Sequence, residues 1–322
     1  MENKKFSPPY LGSAYYPEDW DEAQQDYDIE MMKKAGMNCA RIAEFDWYGM
    51  EPSDGVFTFE KLHRVVDKLG QNGIAVILGT PTATPPVWFF KAHPEACRET
   101  VNGRKAVHGG RRHYCSNNPD YIRCSLRIAE KMAIEFKDDP SVIGWQIDNE
   151  IYTHDEGCFC EHCVKEFHAY LKEQYGTIEE LNERWNLHVF SQAYESFDDI
   201  PAPRDAWHNP HLKQAWKIFQ GISHVKFVHA QADILHKYVK VPVGTDTMPV
   251  YGIDYRKLNE KLDIVQFNHY NTKENHYRCF LWMDYLRTLL PHPFWNTETE
   301  ASWNGSAEIG MSLPEEGFIR LN

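Results

Sequence analysis

The chain has 322 residues, of which 42% are hydrophobic and 25% are charged. This composition allows a sizeable hydrophobic core and argues against extensive disorder. The 34 basic and 47 acidic residues give a net charge of −13, which argues against a polyanionic partner such as nucleic acid.

The sequence also bears on the cellular compartment. No apolar run is long enough to span a membrane, and we expect no membrane partner. The first nine residues lack the apolar segment of a signal peptide and reach Pro8 and Pro9 early, so we expect a cytoplasmic protein. In that compartment the eight cysteines are expected to be thiols or metal ligands instead of disulfides.

Strand-like runs alternate with helix-like runs along the chain, which is typical of βα units around a parallel sheet. The predicted strands span residues 10–16, 38–44, 74–80, 142–150, 241–247, 263–270 and 294–300. The predicted helices span residues 21–35, 59–72, 121–136, 161–175, 212–238 and 276–290. This order predicts an α/β fold of the (β/α)8 TIM barrel type, with residues 1–322 forming one catalytic domain and no second domain.

Two departures from a regular barrel are predicted. The longest interruption, at about residues 156–209, lies between the fourth and fifth strands and is expected to be an excursion containing cysteines and tryptophans. Only seven strands are evident, and the eighth is expected to be missing, because residues 301–322 look turn-like and then helical. Either the barrel closes differently or the sequence is the N-terminal piece of a longer protein, and we favour the second interpretation.

The predicted strand 142–150 ends in Asp148, Asn149 and Glu150. Polar groups at the C-terminal ends of parallel strands are where α/β barrels hold catalytic residues. The alternative is that these three residues begin a polar loop or cap a helix.

A second carboxylate, Glu298, ends the predicted strand 294–300 three βα units after Glu150. Retaining glycosidases use two carboxyl groups about 5 to 5.5 Å apart, one as acid/base and one as nucleophile. Strands four and seven lie across a barrel mouth from each other, so this separation is reachable. Glu300 is the competing nucleophile, and either glutamate could instead only pair with an arginine.

A cluster of cysteines follows Glu150. Residues 158–163 read CFCEHC, a spacing typical of metal ligands. Tetrahedral zinc needs a fourth ligand, which His162 could provide. Free, unliganded thiols are the alternative.

Several motifs resemble glycoside hydrolase family 42, the β-galactosidases with an α/β-barrel catalytic domain. They occur in order along essentially the whole chain, and Glu51-Pro52 and Gly55 add to the likeness. The similar segments are GSAYYPEDW at 12–20, RIAEFDW at 41–47, TPTATPPVW at 80–88, RRHYC at 111–115 and WQIDNE at 145–150.

The resemblance implies roles at the active site. Glu150 would be the general acid/base, Glu298 the nucleophile, and Asn149 a ligand of the sugar 2-hydroxyl. Arg111 would contact the substrate, because a guanidinium suits sugar hydroxyls or the carboxylate of the nucleophile. Tyr270 would orient the nucleophile, unless it only packs against the next helix.

The resemblance also implies a tryptophan and a metal ligand. Trp303 would stack on the sugar or act as a lid residue on the barrel rim. Cys115 would be the fourth ligand beside Cys158, Cys160 and Cys163, which gives a structural zinc site and no organic cofactor.

We therefore expect a retaining, exo-acting glycoside hydrolase that releases terminal β-D-galactose from a β-galactoside. A related β-glycosidase or α-L-arabinopyranosidase, a non-catalytic sugar-binding barrel fragment, and a thiol-metal module are the alternatives. The resemblance further implies a homotrimer for the full-length protein.

Overall fold

A computed structural model describes residues 6–151, 157–204, 207, 209–248, 252–269, 277–291 and 294–299. This part of the chain contains eight short parallel strands. They are β1 (Gly12–Ala14), β2 (Cys39–Ile42), β3 (Ala75–Gly79), β4 (Val142–Gln146), β5 (Val243–Gly244), β6 (Asp246–Thr247), β7 (Gln266–Asn268) and β8 (Trp295–Glu298).

The strands follow one another around the barrel in chain order. One sheet has the order β1-β2-β3-β4-β5 and the other has the order β6-β7-β8, and every pair is parallel. The predicted strand 241–247 is divided into β5 and β6 at Thr245, whose hydroxyl donates to the carbonyl of Ile147. The seven predicted strand positions are therefore confirmed, with shorter bounds.

The helices lie between the strands, as the alternating pattern predicted. Those in the described residues are α1 (Glu22–Lys34), α2 (Trp47–Met50), α3 (Glu60–Gln71), α4 (Val87–Ala92), α5 (Pro119–Phe136), α6 (Glu161–Tyr175), α7 (Ile178–Arg184), α8 (Pro210–Leu235), α9 (Tyr255–Asn259) and α10 (Tyr277–Leu286). The sequence did not predict α2, α4, α7 and α9, because four to seven residues are too few for a periodic apolar pattern. No helix among the described residues is long and apolar enough to cross a bilayer.

Hydrophobic packing holds the strand ends in place. The central strands β2, β3 and β4 are buried throughout, as expected when helices cover a parallel sheet. The largest core cluster joins these strands to the surrounding helices through side chains such as Trp47, Phe136 and Trp145. A second core cluster joins Phe167 of the excursion to Trp216 of α8 and contains the clustered cysteines.

Strands β1 and β8 lie near each other without pairing. Within the described ranges, no ladder joins these two strands, and β1 is exposed at Gly12 and Ser13. A cavity of about 400 Å³ lies in this part of the barrel, lined by Tyr10, Ser13 and Trp295 and by residues of β2, β3 and β4. Residues 300–322 lie outside the described part, and one domain over residues 1–322 stays a prediction.

Candidate active site and cysteine cluster

The strands bring their polar C-terminal residues to one mouth of the barrel. Glu150 follows β4, Asp246 lies in β6, Asn268 ends β7 and Glu298 ends β8. All four side chains belong to one hydrogen-bonded network, which includes Arg41 of β2. The two carboxylates identified from the sequence therefore do meet.

Asn268 fixes the distance between these two carboxylates. Its Nδ2 donates to Glu150 Oε1 at 2.9 Å and to Glu298 Oε2 at 3.2 Å. The two oxygens can be no farther apart than the sum of these distances, about 6.1 Å. This limit applies to one oxygen of each carboxylate, and it accommodates the separation of about 5 to 5.5 Å between the carboxyl groups of retaining glycosidases.

Arg41 is the guanidinium that pairs with Glu298. It is 3% exposed, and it donates to Glu298 Oε2 at 2.9 Å, to Glu44 Oε1 at 3.0 Å and to Gln146 Oε1 at 3.0 Å. Burial alone would lower the pKa of Arg41, but the carboxylates of Glu44, Asp246 and Glu298 raise it well above its usual value. Arg41 therefore stays charged and forms an ion pair with Glu298.

Asp246 is a third carboxylate at the barrel mouth, and the sequence did not single it out. It is 1% exposed, its Oδ1 accepts the backbone N–H of Glu150 at 2.6 Å, and its Oδ2 accepts from Asn268 at 3.0 Å. Burial raises the pKa of Asp246 to about 7, against the lowering effect of Arg41. Asp246 therefore contacts both Glu150 and Asn268, the residue that lies between Glu150 and Glu298.

Asn149 and Arg111 contact each other beside Glu150. The Asn149 amide is satisfied when its nitrogen donates to Asp246 Oδ2 at 3.3 Å and its oxygen accepts from Arg111 Nη1 at 2.9 Å. Arg111 Nη1 is 3.5 Å from Glu150 Oε2, and its guanidinium lies 5.3 Å from the Phe45 ring centroid. Arg111 thus lies beside the expected acid/base, and Arg41 is the arginine beside the expected nucleophile.

The backbone around Glu150 is held in an unusual conformation. Asp148 has φ 53° and Glu150 has φ 48°, a left-handed region that costs energy for residues other than glycine. Asp148 stabilises the turn, because its carboxylate accepts from the Thr82 hydroxyl and from the Asn149 N–H at 2.7 Å. All three residues from 148 to 150 are buried, so they do not form an exposed polar loop.

Three residues considered from the sequence cannot be placed. Tyr270, Glu300 and Trp303 lie outside the described residues. Of the two candidate nucleophiles, Glu298 and Glu300, only Glu298 lies among the described residues, and it belongs to the hydrogen-bonded network at the barrel mouth.

The four cysteines form a separate cluster next to the site. The sulfurs of Cys115, Cys158, Cys160 and Cys163 lie within 4.8 Å of one another, and all four residues are buried. Cys115 is 3.4 Å from Cys163 and 3.5 Å from Cys160, sulfur to sulfur. Zinc with Zn–S bonds of about 2.3 Å places its sulfurs about 3.8 Å apart, so this donor set fits tetrahedral zinc.

The surroundings of the cysteines also fit thiolate ligands. Asn117 Nδ2 donates to the sulfur of Cys163 at 3.3 Å, and the Glu99 N–H donates to the sulfur of Cys158 at 3.5 Å. His162 is partly exposed and lies outside the four-sulfur cluster. The fourth sulfur is therefore that of Cys115, as the resemblance implied.

Comparisons with known proteins agree with this arrangement. A family model described as beta-galactosidase, that of glycoside hydrolase family 42, matches residues 14–322. Beta-galactosidase YesZ of Bacillus licheniformis is 34% identical over 317 residues, which are 97% of this chain and 47% of the relative. Beta-galactosidase LacZ of Heyndrickxia coagulans is 34% identical over 328 residues, which are 99% of this chain and 49% of the relative.

Solved structures have the same fold. The beta-galactosidase from the psychrophilic Marinomonas ef1 has a TM-score of 0.89 at 28% identity, covering 96% of this chain and 51% of that chain. The beta-galactosidase from the haloarchaeon Halorubrum lacusprofundi has a TM-score of 0.89 at 32% identity, covering 95% and 49%. This chain thus spans about half the length of the relatives it matches. Its fold is the TIM barrel of these enzymes, and the chain belongs to glycoside hydrolase family 42.

Proposed function

We propose that the protein containing this chain is a retaining, exo-acting β-galactosidase that forms a covalent glycosyl-enzyme intermediate. The observation that carries the proposal is the single Asn268 nitrogen within hydrogen-bonding distance of both Glu150 and Glu298. This shared contact accommodates the short carboxyl separation of retaining glycosidases, in which one carboxylate attacks the anomeric carbon directly.

The hydrogen bonds suggest a division of roles. Glu298 Oε2 accepts from both Arg41 and Asn268, which favours the ionised nucleophile. Glu150 Oε1 accepts from Asn268, so a proton on Glu150 resides on Oε2, the oxygen that faces Arg111. Glu150 gives this proton to the glycosidic oxygen as Glu298 attacks, and it then deprotonates the water that releases the sugar.

Arg111 and Asn149 are proposed to bind the substrate. The Asn149 amide lies between Asp246 and Arg111, next to the carboxylate of Glu150. There it can hydrogen-bond the sugar 2-hydroxyl, an interaction that strengthens in the transition state.

We also propose that the four cysteines hold a structural zinc ion. The support is the convergence of four buried sulfurs at distances that zinc accepts. Bound zinc would tie residues 158–163 of the excursion to Cys115, four residues after Arg111, without taking part in the reaction. Unpaired thiols fit a reducing compartment, and we propose a cytoplasmic location.

For the complete protein we propose a homotrimer, as the family resemblance implies. An exposed aromatic pair on the excursion supports self-association, since the Phe190 and Trp207 rings lie 5.7 Å apart and both are largely exposed. Light scattering of the complete protein would measure the oligomeric state, and a monomer would contradict the proposal.

The enzymatic role is tested by replacing each carboxylate in the complete protein. Glu150→Gln and Glu298→Gln are each expected to lower turnover of an aryl β-galactoside by about a hundredfold to ten-thousandfold. Glu30→Gln, an exposed residue paired with Lys34, is the matched control. Near wild-type turnover in either active-site variant would contradict the assignment.

Two further assays separate the alternatives. Comparing an aryl β-galactoside with an aryl α-L-arabinopyranoside distinguishes the substrate preferences. Measuring the activity of the 322-residue chain beside that of the protein extended at its C-terminus tests the hypothesis of a non-catalytic fragment. Activity that is restored only by the extension would support that hypothesis. The lack of a ladder between β1 and β8 in the described part of the chain is the observation that favours including this comparison.

A further inference from the structure

The carboxylate of Asp246 is connected to Glu150 in two ways. Its Oδ1 accepts the backbone N–H of Glu150, and its Oδ2 accepts from Asn268, which also donates to the Glu150 side chain. Both oxygens of Asp246 are therefore acceptors, an arrangement that suits the carboxylate, whereas burial raises the pKa of Asp246 to about 7.

Carboxyl groups outnumber guanidinium groups at the barrel mouth. Arg41 from β2 lies 3.7 Å from Asp246, and it also contacts Glu44 and Glu298. Arg111 is half exposed and lies beside Glu150. Two guanidinium groups thus face four carboxyl groups in a largely buried site, where an unpaired carboxylate is costly.

The charged groups that act on Asp246 come from three directions. Arg41 approaches from β2, Glu150 from the end of β4 and Glu298 from β8, while Asn268 of β7 is neutral. Asp246 therefore lies among these charges and contacts the backbone of Glu150 directly.

We propose that Asp246 is a positioning residue for the acid step, which holds the backbone of Glu150 in its left-handed conformation and places its side chain through the shared contact with Asn268. The proposal rests on the proposed glycosidase function. Asp246 does not reach the substrate in this role. It acts through Glu150, so its effect depends on how much the leaving group needs a proton.

The test uses two β-galactosides in the complete protein. An alkyl galactoside needs protonation of its leaving group, whereas a dinitrophenyl galactoside does not. In Asp246→Asn, kcat/KM for the alkyl substrate is expected to fall at least thirtyfold, with less than about a threefold change for the dinitrophenyl substrate. One of the two contacts of Asp246 is lost in this variant, because an amide nitrogen cannot accept from the Glu150 N–H or from Asn268.

Two other variants complete the test. Asp233→Asn, an exposed residue of α8 paired with Lys261, is the matched control and should leave both substrates unchanged. Asp246→Glu keeps an acceptor but moves it by one methylene, so it should lower kcat/KM more for the alkyl substrate than for the dinitrophenyl substrate. If Asp246→Asn does not fold, this comparison in Asp246→Glu decides the question.

The outcomes separate the two proposals. A wild-type protein inactive on both substrates contradicts the β-galactosidase function itself. With an active wild type, an equal loss on both substrates overturns the positioning role of Asp246.

Discussion

Replacing Arg41 by glutamine is expected to destabilise the protein strongly and in a pH-dependent manner. Arg41 is 3% exposed and makes ion pairs with Glu44 and Glu298, with Asp246 3.7 Å away. Removing one partner of a buried ion pair costs about 3 to 5 kcal/mol, because the carboxylates left behind have no cation. For a cooperative unit the size of this chain, that loss lowers Tm by about 4 to 7 °C.

The pH dependence follows from Asp246. Burial raises its pKa to about 7, and Arg41 opposes that rise, so the folded-state pKa increases further in Arg41→Gln. A carboxyl group whose folded-state pKa is raised contributes stability below its unfolded pKa and loses that contribution as pH rises through the folded pKa. The difference in Tm between wild type and variant should therefore be larger at pH 8 than at pH 5.

The assay is thermal unfolding of both proteins at the two pH values. Arg123→Gln is the control, because Arg123 is 56% exposed in its side chain and pairs with Asp120 at 2.9 Å. A surface pair of this kind contributes at most about 1 kcal/mol. Equal losses in the two variants, or a loss in Arg41→Gln that does not depend on pH, would refute the reasoning.

Three further predictions concern other parts of the site. Asn149→Ala should lower kcat/KM at least tenfold on a β-galactoside but leave a 2-deoxygalactoside almost unaffected, and equal losses on both substrates would exclude contact with the 2-hydroxyl. Gly79→Ala should lower the free energy of unfolding by about 1 to 3 kcal/mol in a denaturant titration, because its Cβ would lie 2.5 Å from Glu44 Cβ and 2.9 Å from Glu44 Cα. Metal analysis should find one zinc per chain. The Cys115→Ser variant should lose zinc and unfold at lower temperature, with little change in kcat. Unchanged zinc content in the variant would show that Cys115 is not a ligand.

The sequence was sufficient for the elements that follow from local pattern. Strand alternation predicted the barrel, and polar residues at two strand ends identified Glu150 and Glu298. The C-x-C-x-x-C spacing predicted a cysteine cluster, and the resemblance supplied Cys115. These features are readable because they depend on residues close together in the chain or on a motif.

Other parts of the site depend on contacts between distant strands. Arg41 is 257 positions from Glu298, and Asn268 is 118 positions from Glu150. Their partners are brought close by the geometry of the barrel, so the spacing of neighbouring residues in the sequence does not predict them. A signal was nevertheless present, because Arg41 and Asp246 are charged residues inside predicted buried strands, where a charge needs a partner.

The amide of Asn268 has two hydrogens, whereas three carboxylates lie around its nitrogen, at 2.9 Å for Glu150, 3.0 Å for Asp246 and 3.2 Å for Glu298. This amide therefore cannot donate to all three at once, although Glu298 Oε2 also accepts from Arg41 and Asp246 Oδ2 also accepts from Asn149. Under the proposed mechanism, attack by Glu298 turns its carboxylate into an ester, which is a weaker acceptor. Two hydrogens then serve two carboxyl groups, so the covalent intermediate is the state in which this amide and its acceptors are evenly matched.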